Sequence, residues 1–134
     1  MYLLDTNILI EVLLKQSNSE QVKQFLNITL YDTLYLSEFS LYSLGVRLVQ
    51  KKYPEAFERV VNDLIITGGI RVLKLDVGDM EGVLKAVKQL GLDFDDAYQY
   101  VTAEKYDLTL VSFDAHFDKT ARGRKTPADL LSSP

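Results

Sequence analysis

Apolar and polar positions along this chain switch repeatedly between a strand period and a helix period. Met1 to Leu4 is a short apolar run ended by Asp5, after which Ile8, Leu9, Val12 and Leu13 recur at helical spacing. The pattern predicts a buried strand, a sharp turn and a helix, with Thr6 at the N-cap position and Asp5 at the carboxyl end of the strand. The polar stretch Lys15 to Glu20 breaks the pattern, and Asn18 or Ser19 can cap a helix that turns Val22, Phe25 and Leu26 inward. Asp32-Thr33 turns the chain into a strand, Leu34-Tyr35-Leu36. Ser37 to Ser40 then leads into a helix with Leu41, Leu44, Leu48 and Val49 on one face. Pro54 suits the first turn of a helix carrying Phe57, Val60, Val61, Leu64 and Ile65, which Gly68-Gly69 ends. Arg71 to Leu75 reads as a strand. Asp76 caps a helix with Val77, Met80, Val83, Leu84, Val87 and Leu90 apolar, closed by Gly91. Asp93 caps another that buries Phe94, Ala97, Tyr98 and Val101, and Leu108 to Ser112 is the last clear strand.

Strands that alternate with helices, joined by connections long enough for parallel crossovers, predict an α/β fold. The expected architecture is a three-layer sandwich: a mainly parallel central sheet of four to five strands with helices on both faces. No repeat, low-complexity stretch or linker divides the chain, so residues 1–134 are expected to form one domain, with a basic polar tail from about residue 118. Composition narrows the chemistry. Apolar residues at 47% and charged residues at 25% are ordinary for a soluble globular protein. The absence of cysteine excludes disulfides, thiolate zinc sites and cysteine nucleophiles. A lone histidine, His116, leaves little scope for histidine zinc sites or a Ser-His-Asp triad. No run of about 18 apolar residues suggests a membrane span, and the N-terminus lacks the basic start of a signal peptide. A cytoplasmic protein without membrane association is the expectation. A net charge of −4 argues against broad attraction to nucleic acid, while leaving room for a local basic patch.

The acids are the strongest chemical signal. Asp5 ends the first strand, Asp114 follows the last, Asp95-Asp96 opens a helix and Glu38 follows the second strand. In a parallel sheet those positions can share one rim, the edge where open α/β sheets bind ligands. Each acid also has a local reading: Asp5 as a helix cap, Asp93 and Asp96 as a capping pair, Asp114 as a turn residue. Carboxylates gathered together repel and call for cations. All-oxygen ligands point to Mg²⁺ or Mn²⁺, which can activate water and stabilise in-line phosphoryl displacement. A phosphotransferase using Asp5 as nucleophile would want a second acid two residues on, where Asn7 stands.

Three segments resemble the PIN domain family, metal-dependent nucleases that include the VapC toxins. Leu3 to Ile10, with its Leu-Asp5-Thr-Asn, resembles the family's opening. Leu92 to Ala103, with Asp96-Ala97, resembles the passage in which an acid opens a helix. Leu110 to Phe117, with Ser112-Phe-Asp114, resembles the closing strand, and Thr126-Pro127 precedes a short helix in the same way. The resemblance spans Met1 to about Leu131. It implies an endoribonuclease that cuts RNA phosphodiester bonds with metal-activated water, with Asp5, Asp96 and Asp114 holding Mg²⁺ or Mn²⁺. It implies further a homodimeric toxin silenced by a small antitoxin.

One position departs from the family. Tyr35 to Gly45 aligns with the strand-to-helix passage, where the family usually carries a Glu; here that position is Ser43. Ser43 brings no charge, and Glu38, five residues earlier, points in another direction on a helix. The site is thus three acids by resemblance, with Asp95 as a neighbour and Glu38 reaching it only if the loop bends that way. Metal binding is expected to be weaker, and the alternative is a PIN fold with weakened or lost catalysis that acts as a nucleic-acid or protein-binding module. Thr6, Asn7 and Ser112 can support Asp5 and Asp114, a role compatible with helix capping. His116, standing where the family often has a second acid, reads as a surface or partner contact. Tyr31, Tyr35, Phe39 and Tyr42 suggest a symmetric homodimer face. Lys119, Arg122, Arg124 and Lys125 could grip phosphates or form a solvated tail, the reading preferred here. Arg47, Lys51 and Lys52 lie toward a helix end, where cations suit the dipole.

Overall fold

A computed structural model of the protein describes residues 1–132; the last two positions of the expected unit lie outside the described residues. Four short strands form the sheet: β1 (Tyr2–Leu4), β2 (Leu34–Ser37), β3 (Arg71–Leu73) and β4 (Thr109–Val111). All pairings are parallel, in the order β3-β2-β1-β4. The side chains alternate faces as the pleat requires. Leu4, Leu34, Leu36 and Val111 enter one core cluster, whereas Leu3, Tyr35 and Leu110 enter the other. The first cluster is covered by α1 (Thr6–Leu13), α2 (Ser19–Ile28), α3 (Glu38–Gln50) and α4 (Pro54–Arg59). The second is covered by α5 (Met80–Leu90) and α6 (Phe94–Tyr106), and a short α7 (Pro127–Leu131) follows. None of the described helices is long and apolar enough to cross a membrane.

From β1 the chain proceeds to β2 on one side, and later places β4 on the other. The carboxyl end of β1 therefore lies at a switch point, where helices diverge and leave a crevice. Asp5 follows β1 directly and donates its backbone N–H to the Val111 carbonyl at 2.9 Å, tying it to the end of β4.

Several local expectations change. Asp5, not Thr6, is the N-cap of α1, its carboxylate accepting the Thr6 N–H at 2.8 Å. The helix predicted from Val77 starts at Met80, because Asp76 and Asp79 close a capping box around a 3₁₀ turn that leaves Val77 in solvent. Leu84 and Val49 are also exposed, each one residue and thus about 100° around the helix from a buried neighbour. Phe94 is half-exposed at the first position of α6, where its ring meets Phe39 at 6.3 Å. The helix from Pro54 widens into a π-helix over Val60–Ile66. Its carbonyls at Asp63 and Leu64 close so tightly on Gly68 that a Cβ there would stand 2.6 and 2.7 Å from them, which makes Gly68 obligatory.

Three of the four tail cations are tied to the fold, although Lys119, Arg122 and Lys125 remain exposed. Arg122 donates to Asp107 and to the Leu108 carbonyl, each at 3.1 Å. Arg124 binds both Asp118 oxygens and the Ser112 carbonyl, and Lys119 binds the Gly91 carbonyl. Lys125 runs parallel to Val111, exchanging backbone bonds with Leu110 and Ser112. The tail so covers the edge of β4 that a strand would otherwise leave open.

Candidate active site

At the switch point a cavity of about 130 Å³, room for an ion with a few waters, is lined by Asp5, Asp95, Asp96 and Asp114 together with Ser43 and Gln99. Asp5 arrives from the end of β1, Asp114 from the turn after β4, and Asp95 and Asp96 from the first turn of α6. Thr6, Asn7, Phe39 and Arg47 complete the wall. Glu38 stands apart: its carboxylate accepts the hydroxyl of Tyr42, one turn along α3, and it does not line the cavity.

Asp5 is held by neutral donors. Thr6 N–H at 2.8 Å and Gln99 Nε2 at 3.1 Å reach one oxygen; Ser112 Oγ at 2.7 Å and Asn7 Nδ2 at 3.4 Å reach the other. Ser112 Oγ in turn accepts from Asn7 and from the Asp114 N–H at 2.9 Å, joining the two acids through one hydroxyl. Thr6 and Gln99 also donate to Ser40 Oγ, at 2.9 and 2.6 Å. Burial raises the Asp5 carboxyl above its ordinary range, against the opposing hydrogen bonds of Ser112, Gln99 and Thr6.

Asp96 has a different environment. It is as hidden from solvent as Asp5, 7% exposed in each case. The side-chain hydrogen bond that shifts it comes from Asp114, another acid. Burial first, then the charges of Asp114, Asp95 and Asp5, push its carboxyl up to about 7.

His116 is on the surface, as expected, and it borders this site. Its Nδ1 lies 3.1 Å from Asp114 Oδ1 and 3.6 Å from Asp96 Oδ2. Asp96, Asp114 and His116 each offer a ligand atom within 4.8 Å of the others, and Asp93, Asp95 and Asp96 satisfy the same spacing. Gln99 does not stand out in the sequence, where it reads as one more core position between Tyr98 and Tyr100. The available signal is its spacing of three from Asp96, which puts both on one helix face. Its Oε1 is buried without a hydrogen-bond partner at the cavity wall.

These features fit a hard divalent cation. The donors are carboxylate oxygens with one imidazole, the acids repel one another, and a buried amide oxygen lacks a partner.

The profile of the PIN domain family matches residues 2–123. The chain belongs to the PIN domain family. Solved PIN-like structures overlay nearly all of it. A toxin-antitoxin complex from Klebsiella pneumoniae matches with a TM-score of 0.75 at 19% identity, over 95% of this chain and 98% of the other. VapC20 of Mycobacterium tuberculosis, described as a Sarcin-Ricin loop cleaving toxin, gives 0.76 at 15% identity over 92% and 96%. FitAcB from Neisseria gonorrhoeae gives 0.72 at 22% identity over 96% and 99%. At such identities the likeness is one of fold. No curated protein matches the chain in sequence.

Proposed function

We propose that this PIN domain is a Mg²⁺- or Mn²⁺-dependent endoribonuclease, and that it acts as a toxin held silent by a small antitoxin. The observation that carries the reading is the meeting of Asp5, Asp96 and Asp114, from three separate segments, around one cavity at the sheet's switch point. When bound, the ion supplies Lewis acidity and a water deprotonated near neutral pH. Asp96 and Asp114 would hold it, assisted by Asp5, with His116 at the open side. Thr6, Asn7, Gln99 and Ser112 fix the direction of the Asp5 carboxylate, and Ser112 couples it to the loop that carries Asp114. Similarity to toxin-antitoxin structures supports the antitoxin partner. A symmetric homodimer is part of the proposal. Of the face expected from Tyr31, Tyr35, Phe39 and Tyr42, Tyr35 is buried and Tyr31 and Phe39 pack against the core clusters, so the proposed face is Tyr42 with its exposed α3 neighbours Val46 and Val49.

Ser43 favours a second reading. It lines the cavity where relatives usually place a Glu, so this wall adds no charge, as in a PIN fold kept for binding rather than cleavage. The test is cleavage of labelled single-stranded RNA by the purified protein with Mn²⁺, with EDTA, and after Asp96→Asn. The nuclease reading expects cleavage in the first case alone. Equal cleavage with EDTA, or none under any condition despite RNA binding, sinks it, and the latter result selects the binding reading.

A further inference from the structure

A second cavity, of about 550 Å³, opens where α1 and α3 end. Its wall includes Lys15, Lys51 and Arg59 together with Tyr53, and no acidic residue, although the chain as a whole carries a net charge of −4. None of these cations forms a salt bridge among the described residues, and neither does Arg47. Of the tail cations, by comparison, Lys119, Arg122 and Arg124 are engaged in internal bonds. Both helices end in a Schellman-type turn: Gln16 N–H bonds the Glu11 carbonyl, and Tyr53 N–H bonds the Leu48 carbonyl. The left-handed position of such a turn favours glycine. Here it is Lys15 in one helix, at φ 52°, and Lys52 in the other, at φ 65°. Two lysines thus occupy strained backbone where a glycine would relax it, and Lys15 faces the cavity.

One row of side chains leads from the acid cavity toward this one. Ser43 and Arg47 of α3 and Lys51, which caps its C-terminus, follow one another at i, i+4 spacing, about 6 Å apart. The first two line the acid cavity and the third lines the basic one. Beyond the proposed ion site, that row thus places cations at a spacing suited to phosphates. Tyr53, 54% exposed, offers a ring on which a base can stack.

We propose that the Arg47–Lys51–Lys15–Arg59 row is the path taken by single-stranded RNA leaving the acid site, with Tyr53 stacking a base beside it. The proposal rests on the nuclease reading above. Cations at helix ends also complement the dipole, so the test needs a readout that helix stability does not move.

The salt dependence of binding is that readout. Full-length protein carrying Asp96→Asn, to suppress cleavage, is titrated with a fluorescein-labelled, unstructured oligoribonucleotide at several salt concentrations. Lys15→Gln, Lys51→Gln and Arg59→Gln together are expected to weaken binding at least roughly tenfold. They should also flatten the plot of log K against log salt by about 2, because each single-strand phosphate that a cation neutralises adds about 0.7 to the slope. Tyr53→Leu should weaken binding with the slope unchanged. Lys85→Gln with Lys88→Gln, on α5, should do neither. In the cleaving protein, the triple variant should raise KM and leave kcat. If the triple variant binds RNA with unaltered affinity and slope while the wild type cuts RNA, the path is wrong and the nuclease reading stands. If the triple variant instead loses an acidic protein partner and keeps RNA, the cavity is a protein interface and the proposal falls. If the wild type neither binds nor cuts RNA, both fall together.

Discussion

Asp5 and Asp96 are buried to the same extent within one cavity, yet they depend on their surroundings in opposite ways. Asp5 sits in a cage of four donors built by Thr6, Asn7, Gln99 and Ser112. Asp96 faces acids: Asp114, Asp95 and Asp5, with His116 at 3.6 Å. On the strand side the protein's donors offset part of the cost of burying Asp5, whereas on the helix side no such donors oppose the burial of Asp96. Burial alone does not make a carboxylate functional; what matters is whether the fold supplies the compensation or leaves it to a ligand. On the proposed reading, the cage gives precision and the acid pair gives affinity.

Asp96→Asn should have the largest effect, because it removes a carboxylate for which only an ion compensates. Cleavage should fall at least about 100-fold, beyond the usual loss when a supporting residue is removed, as measured in a Mn²⁺-dependent RNA assay. The same variant sharpens the comparison through pH. The Asp96 carboxyl lies near 7 in the folded protein, above its unfolded value of 3.8. The folded state therefore retains a proton that the unfolded chain loses first. Stability linked to this group is complete below about pH 4 and declines as pH rises toward 7. Thermal melts in EDTA should show that decline in the wild type and a flatter profile in Asp96→Asn.

Asp5→Asn attacks the other side. An amide offers one oxygen where the carboxylate accepts from four donors, so Ser112 or Gln99 is left facing an N–H. A loss of about 1–3 kcal/mol in stability is expected in EDTA, read by urea denaturation, where Asp96→Asn should be neutral or stabilising. A stabilised Asp5→Asn would show that charge repulsion outweighs the cage and would remove the distinction drawn here. Gln99→Ala loosens the cage without altering charge. Mn²⁺ affinity should fall roughly tenfold, the lower end for a supporting partner, with little change in the pH profile of stability.

Ser43→Glu should give the smallest change and tests the cavity's remaining wall. An added charge about 8 Å from a divalent ion contributes about 1 kcal/mol in a water-like medium, roughly fivefold in Mn²⁺ affinity. It should destabilise the metal-free protein by joining like charges. Calorimetric titration in the wild-type and Asp96→Asn backgrounds checks both, since the gain should vanish without Asp96.

The positions of the acids are readable in the sequence because each follows a strand end or opens a helix, and a parallel sheet brings such positions to one edge. The same logic locates Ser43 and separates it from Glu38, since both lie on one helix of known phase. What is not readable depends on residues distant in sequence. Ser112 and Gln99 reach Asp5 across 107 and 94 residues. His116 reads as peripheral because nothing local shows that the turn after β4 folds back over Asp96. The tail misleads for a related reason. Four cations close together in sequence suggest a surface charge patch, but the carbonyls of Gly91, Leu108 and Ser112 that receive three of them are fixed only by the packed fold. Lys51 reads in the sequence as a helix-end cation, and its grouping with Lys15 and Arg59 is hidden because the three lie on separate segments.

The central claim is that the helix side of the cavity is completed by a divalent ion. Thermal denaturation at about pH 7.5, above the range in which Asp96 titrates, with increasing Mn²⁺ or Mg²⁺ tests it directly, because the unfolded chain has no assembled site. Above the dissociation constant, each tenfold increase in free ion should add about 1.4 kcal/mol, raising Tm by several degrees. Asp96→Asn should remove that response. A wild-type Tm that does not move at millimolar Mn²⁺ or Mg²⁺, or a response that survives in Asp96→Asn, would contradict the account.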